Sequence, residues 1–126
     1  PEELRAPTRH VITEQARVHA FATALREHDL VAMGELMRAS HESLRDDFGV
    51  TGAALDAMAE AAWEAPGVIG ARMTRAGFGG CTVNLVQPDA VDAFTDAVGR
   101  RYSDSTGRIA SFHRVASADG AREITP

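Results

Sequence analysis

At Pro66-Gly67 the hydrophobic pattern changes period, and this break constrains the fold more than any other feature of the chain. Ahead of it, apolar residues recur at steps of three and four, the signature of helices packed by one face. Behind it, short runs alternate between apolar and polar, the signature of strands with one buried face. The spacing predicts a first helix from Thr8 to about Glu27, entered after Pro7, with Val11, Val18, Phe21, Ala22 and Leu25 as its inner stripe. His28-Asp29 interrupts the pattern, and Asp29 is suited to cap a second helix. That helix turns Met33, Leu36, Met37, Ser40 and Leu44 to one side and ends at Gly49. Thr51 is the expected cap of a third helix, with Leu55, Met58, Ala59 and Ala62 inward, closed by Pro66-Gly67.

The second half predicts a strand over 68–73 and another over 81–86, joined as a hairpin by a long glycine-rich turn. Pro88-Asp89 opens a further helix, with Val91, Phe94, Val98 and Tyr102 at steps of three and four. Ser105-Thr106-Gly107 then turns the chain into an alternating run over 109–115, read as a third strand. Residues 120–124 suggest a short edge strand. The fold class is α+β: a helical N-terminal half followed by a small antiparallel sheet with helices on one face.

At 126 residues the chain is one domain's worth of polypeptide. Its net charge of −5 argues against a nucleic-acid surface, which normally carries a basic stripe. No apolar run reaches the roughly 18 residues that a membrane span needs, and no secretory leader is visible. Cys81 stands alone, which excludes an internal disulfide and a CxxC metal knuckle, so a reducing, cytoplasmic setting is the simplest fit. The start at Pro1, without an initiator methionine, suggests a piece of something longer.

The turn itself reads RMTRAGFGGC over 72–81, with Gly77, Gly79 and Gly80 within four positions. Glycine reaches positive φ cheaply and allows close backbone approach. Such a turn can present successive N–H groups to an anion, and the flanking Arg72 and Arg75 would suit a phosphate or carboxylate. It can equally be a tight packing turn with no ligand. Neither GxxxxGK[ST] nor GxGxxG is present.

Other chemistry-bearing residues favour structural roles. Ser40 and His41 are adjacent on a helix and diverge by about 100°, so they do not share a proton readily. His41-Glu42 lacks the second histidine of a zinc helix. Asp46 and Asp47 read as a solvated or capping end rather than a metal pair. His10, His19, His28 and His113 share no face, and Met33, Met37 and Met58 read as core. Trp63 is a core or interface anchor. Cys81 is expected to be a small buried hydrophobe.

Three segments extend this reading. Residues 34–83, with SHESLRDDF and the MTxAGFGGC loop, closely resemble the C-terminal half of galactokinases of the GHMP kinase superfamily. RHVITEQARV over 9–18 and DGAREI over 119–124 are similar to the start and end of the same region. The resemblance implies a ferredoxin-like GHMP C-terminal domain spanning 1–126. It implies a parent enzyme that moves the γ-phosphoryl group of ATP to the anomeric hydroxyl of galactose, with Mg2+. The family's PxxxGLSSSA-type ATP loop, catalytic Asp and its Arg partner have no match here, so no catalytic residue or metal ligand is assigned. Thr74, Arg75, Ala76, Gly77, Phe78, Gly79 and Gly80 are implied to line the cleft near the phosphates. Galactose and ATP are expected to bind through the absent N-terminal domain. The chain alone should be inactive, carry no bound cofactor, expose an apolar patch and self-associate. The alternatives are a kinase-inactive, sugar-binding regulator and a free-standing α+β interaction module. One position departs from the family: Arg75 stands where galactokinases normally have glycine, and a left-handed φ there would cost about 1–2 kcal/mol.

Overall fold

The computed structural model describes residues 1–120. After a short 3-10 turn at Glu2–Leu4, the chain forms α1 (Arg5–Glu27), α2 (Leu30–Ser43), a π-helical turn (Leu44–Phe48), α3 (Ala53–Trp63), β1 (Val68–Thr74), β2 (Cys81–Val86) and α4 (Val91–Thr106). The two strands pair antiparallel, with Ala71 opposite Asn84, Met73 opposite Thr82 and Thr74 opposite Cys81, and the register is irregular between Val68 and Gly70.

Local chemistry accounts for most of the boundaries. Asp29 accepts the Ala32 N–H at 3.0 Å and caps α2, while His28 ends α1 in the left-handed conformation. Gly49 and Gly107, both left-handed, close the π-helical turn and α4. Thr51 does not cap α3 as its composition suggests. That position belongs to Gly52, no side chain caps the helix, and Thr51 is buried instead.

The core has two parts. Ala61, Ala62 and Ala65 meet Ala71, Phe94 and Val98, joining α3, β1 and α4. Leu44, Leu55 and Met73 form the second, beside Val50. Phe94 is almost fully buried, which contributes about 1.5–3 kcal/mol. Small residues let helix and strand meet closely: a Cβ on Gly34 of α2 would lie 2.0 Å from the Ile69 carbonyl oxygen of β1.

Three expectations are corrected. The run 109–115 is not a strand: it is irregular and exposed, with Phe112 resting against Gly99 of α4. Alternation signals a half-buried segment but supplies no ladder partner, and Phe112 finds its partial burial on a helix instead. On α1, Val11, Val18 and Leu25 are exposed, while His10 and Ala24 are the buried positions. Cys81 is exposed rather than buried. The edge strand expected over 120–124 lies almost wholly outside the described residues.

Candidate functional site

The glycine turn, residues 75–80, projects from the end of the hairpin opposite the bulge. Arg75, Gly77, Phe78 and Gly79 all take positive φ, at 66°, 85°, 55° and 111°. Gly77 is required by contact as well as by φ, since a Cβ there would sit 1.9 Å from the Val50 carbonyl oxygen. That same oxygen accepts the Phe78 N–H at 3.0 Å. Val50 is fixed in turn by its N–H to the Leu44 carbonyl, just past the π-helical turn. The bend is therefore clamped against the 49–52 connection.

The strand leading into the loop is held by His41, which is completely buried. The Met73 N–H points to His41 Nδ1 at 2.9 Å, and Asp56 Oδ1 lies 3.0 Å from Nε2. An amide can only donate, so Nδ1 is the acceptor and the proton on Nε2 is donated to Asp56. Trp63 meets the His41 ring edge-on at 5.5 Å and donates its Nε1–H to the Ala71 carbonyl. The outer edge of β1 is thus closed by side chains from α2 and α3.

Thr74 and Gly77 are half-buried, whereas Arg75, Ala76, Phe78, Gly79 and Gly80 are exposed. The structure brings all seven predicted residues to one projecting tip. A run of left-handed residues with exposed amides can cradle an anion. Arg75 is the available cation: among the described residues its guanidinium has no hydrogen-bonding or ionic partner. Arg72, expected to join it, instead donates to the Met73 carbonyl and to Glu14 Oε1 at 3.1 Å. The strand pleat and that ion pair remove it from the anion-facing set.

Ser40 and His41 diverge, as adjacent helical positions should: the Ser40 hydroxyl donates to Glu14 at 2.6 Å while His41 serves β1 and α3. Burial acts to raise the Glu14 carboxyl, but the Ser40 hydroxyl, Arg17 and Arg72 outweigh it and hold the group below its usual range. A second polar link joins α1 to the π-helical turn. The Ser43 hydroxyl donates to Asp47 at 3.0 Å and lies 3.0 Å from His10 Nδ1, and Arg9 donates to Asp47 at 2.8 Å. The apolar pattern carries no mark of these links, because each is made between polar side chains distant in sequence. His10, Glu14 and Arg17 recur at steps of four and three, opposite Ser40, Ser43 and Asp47 at steps of three and four. Asp46 pairs with Arg45.

Two shallow depressions lie elsewhere, around Arg38 and Trp63, which stack at 4.3 Å. The charges of the first are matched among themselves, Arg38 with Glu42, Arg45 with Glu60 and Arg101 with Glu64. Among the described residues no three His, Cys, Asp or Glu side chains converge to hold a metal. No described helix is long and apolar enough to cross a membrane.

Residues 21–104 match the family described as GHMP kinases C terminal. The chain is 50% identical over 123 residues to the galactokinase of Exiguobacterium sibiricum, covering 98% of this chain and 32% of that protein. It is 47% identical to the galactokinase of Fusobacterium nucleatum, covering 98% and 31%. The crystal structure of Lactococcus lactis galactokinase complexed with galactose superposes with a TM-score of 0.86 at 47% identity, over 90% of this chain and 29% of that one. The chain therefore spans about a third of the length of the curated relatives it matches. Family match and superposition agree on one fold, and the chain belongs to the GHMP kinase C-terminal family.

Proposed function

We propose that residues 1–126 are the C-terminal domain of a galactokinase, an ATP-dependent sugar kinase that phosphorylates the anomeric hydroxyl of galactose in the cytoplasm. The observation that carries this is the near-50% identity to galactokinases across almost the whole chain. The clamped turn at 74–80 is its counterpart in geometry.

Phosphoryl transfer is catalysed mainly by positioning and by stabilising charge on the transferring group. This chain's contribution is one wall of the site: the exposed amides of Gly79 and Gly80, with Arg75 beside them, face the phosphate end of the cleft. Magnesium, when bound with ATP, would neutralise phosphate charge. The described residues do not assemble a ligand set for it, so no magnesium contact and no step through the metal is assigned to this chain. General-base and sugar-binding groups belong to the N-terminal domain. The domain alone is then inert, and its exposed Leu4, Val11, Ile12, Val18 and Leu25 favour self-association. The net charge of −5 supports neither a nucleic-acid nor an anionic-membrane partner.

The reading is tested by incubating the full-length protein with galactose and ATP and following the sugar phosphate by 31P NMR. Galactose 1-phosphate is expected from the full-length protein and none from residues 1–126 alone. Turnover by the 126-residue chain, or none by the full-length protein, contradicts it.

A further inference from the structure

The buried histidine at the foot of the glycine turn has a task that its packing does not explain. His41 fills a fully buried position beside Trp63 and Met73, where an aliphatic side chain would pack without needing hydrogen-bond partners. Both ring nitrogens are instead engaged, on different elements. Nδ1 takes the Met73 N–H of β1, and Nε2–H is anchored on Asp56 of α3. Met73 lies two residues before Arg75, where the turn leaves β1. Downstream, the clamp at Val50 is made by main-chain atoms alone, through the Phe78 N–H.

We propose that His41 is a positioning residue for the glycine turn: Asp56 locks its tautomer so that Nδ1 fixes the Met73 amide and sets where Thr74–Gly80 projects. The proposal rests on the kinase reading only for its catalytic consequence. The structural part, that loop order depends on the Nδ1 contact, is independent of it. Without the acceptor, the Met73 amide is a buried donor with no partner, and the strand must shift to find one. On the kinase reading, a shift of this kind is expected to disturb nucleotide positioning rather than the sugar contacts, which are assigned to the N-terminal domain.

Two near-isosteric replacements separate the two ring nitrogens. His41→Asn places a carbonyl oxygen near Nδ1, retaining the Met73 acceptor and losing the Asp56 contact. His41→Gln places an N–H near Nε2, retaining the Asp56 contact and losing the Met73 acceptor. In the full-length protein, His41→Gln is expected to raise the KM for ATP about tenfold while the KM for galactose stays unchanged. It is also expected to speed amide hydrogen exchange across 74–80 about tenfold, leaving α4 protected. His41→Asn should stay within about twofold of the unsubstituted protein in both readouts. A side chain that merely staples α2 to α3 would give the reverse order, and that result overturns the proposal. So does an unchanged KM for ATP in His41→Gln. If the unsubstituted full-length protein shows no galactose-dependent turnover, the kinase reading fails while the exchange comparison still decides the positioning role. Should His41→Gln not fold, the Met73 amide of the unsubstituted protein decides it: slow exchange is expected, and exchange as fast as at Gly79 overturns it.

Discussion

Arg75 offers a prediction whose sign follows from one backbone angle. The residue sits at φ 66°, where a β-carbon crowds the following carbonyl and costs about 1–2 kcal/mol. Its side chain makes no hydrogen bond or ion pair among the described residues, so removing it sacrifices no contact. Arg75→Gly relieves the strain but gives the unfolded chain more freedom, which returns about 0.4–1 kcal/mol. The net is a stabilisation on the order of 1 kcal/mol, or about 4 °C in Tm for a domain of this size. Arg75→Ala removes the same cation but keeps the β-carbon, so it should leave Tm close to that of the unsubstituted chain. Thermal unfolding of the three 126-residue chains, followed by circular dichroism, reads the difference. Equal stabilisation by Ala and Gly would point to charge rather than backbone strain as the cause. A lower Tm for Arg75→Gly would mean that the backbone at φ 66° carries no such strain. In the full-length protein the same pair reports on function. If the guanidinium assists phosphate binding, both variants lose kcat/KM; if it obstructs the cleft, both gain.

Other outcomes follow from the same geometry. Gly77→Ala drives a Cβ into the Val50 carbonyl at 1.9 Å and should destabilise by about 3 kcal/mol or more, whereas Gly79→Ala meets nothing within 4 Å and should show only the backbone strain, as denaturant midpoints would reveal. The Glu14 carboxyl is held below its usual range, so its contribution is present above the ordinary glutamate value of about 4.3 and is lost as pH falls through the lower folded value. The stability gap between the unsubstituted chain and Glu14→Gln should therefore narrow on acidification, in urea titrations at pH 7 and pH 3. Replacing Val11 and Val18 together by glutamate should reduce self-association of the 126-residue chain in sedimentation velocity while moving Tm by no more than about 2 °C, because both side chains are already exposed.

Legibility from sequence was uneven for physical reasons. The position of α2 was readable because cap chemistry and periodicity agreed, at Asp29 and Gly49, whereas α3 and α4 were readable from periodicity alone, as in the Phe94–Val98–Tyr102 row, since neither starts on a side-chain cap. On α1 periodicity and packing disagreed. Its inward face includes His10, Glu14 and Arg17, which are satisfied by one another and by α2 through hydrogen bonds, and of its apolar stripe Val11, Val18 and Leu25 face outward while Phe21 and Ala22 are half-buried. A hydrophobicity pattern cannot distinguish a stripe that packs within a chain from one left for a surface outside it. The segment 109–115 failed because alternation specifies a half-buried extended run and says nothing of a strand partner. At the site, the glycines marked the turn correctly, yet Arg72 and Arg75 look equivalent in sequence. Only the pairing with Glu14 separates them. The tautomer of His41, and with it the anchoring of Met73, depends on three elements distant in sequence and had no local signature.

On the proposed reading, Thr74–Gly80 forms the phosphate-proximal wall of a nucleotide site completed by an N-terminal domain. Amide hydrogen exchange in the full-length protein, with galactose and a non-hydrolysable ATP analogue added, tests it directly. Slower exchange is expected across 74–80, with no change across α4 at 91–106. Unaltered exchange at the loop when both ligands are bound would contradict it.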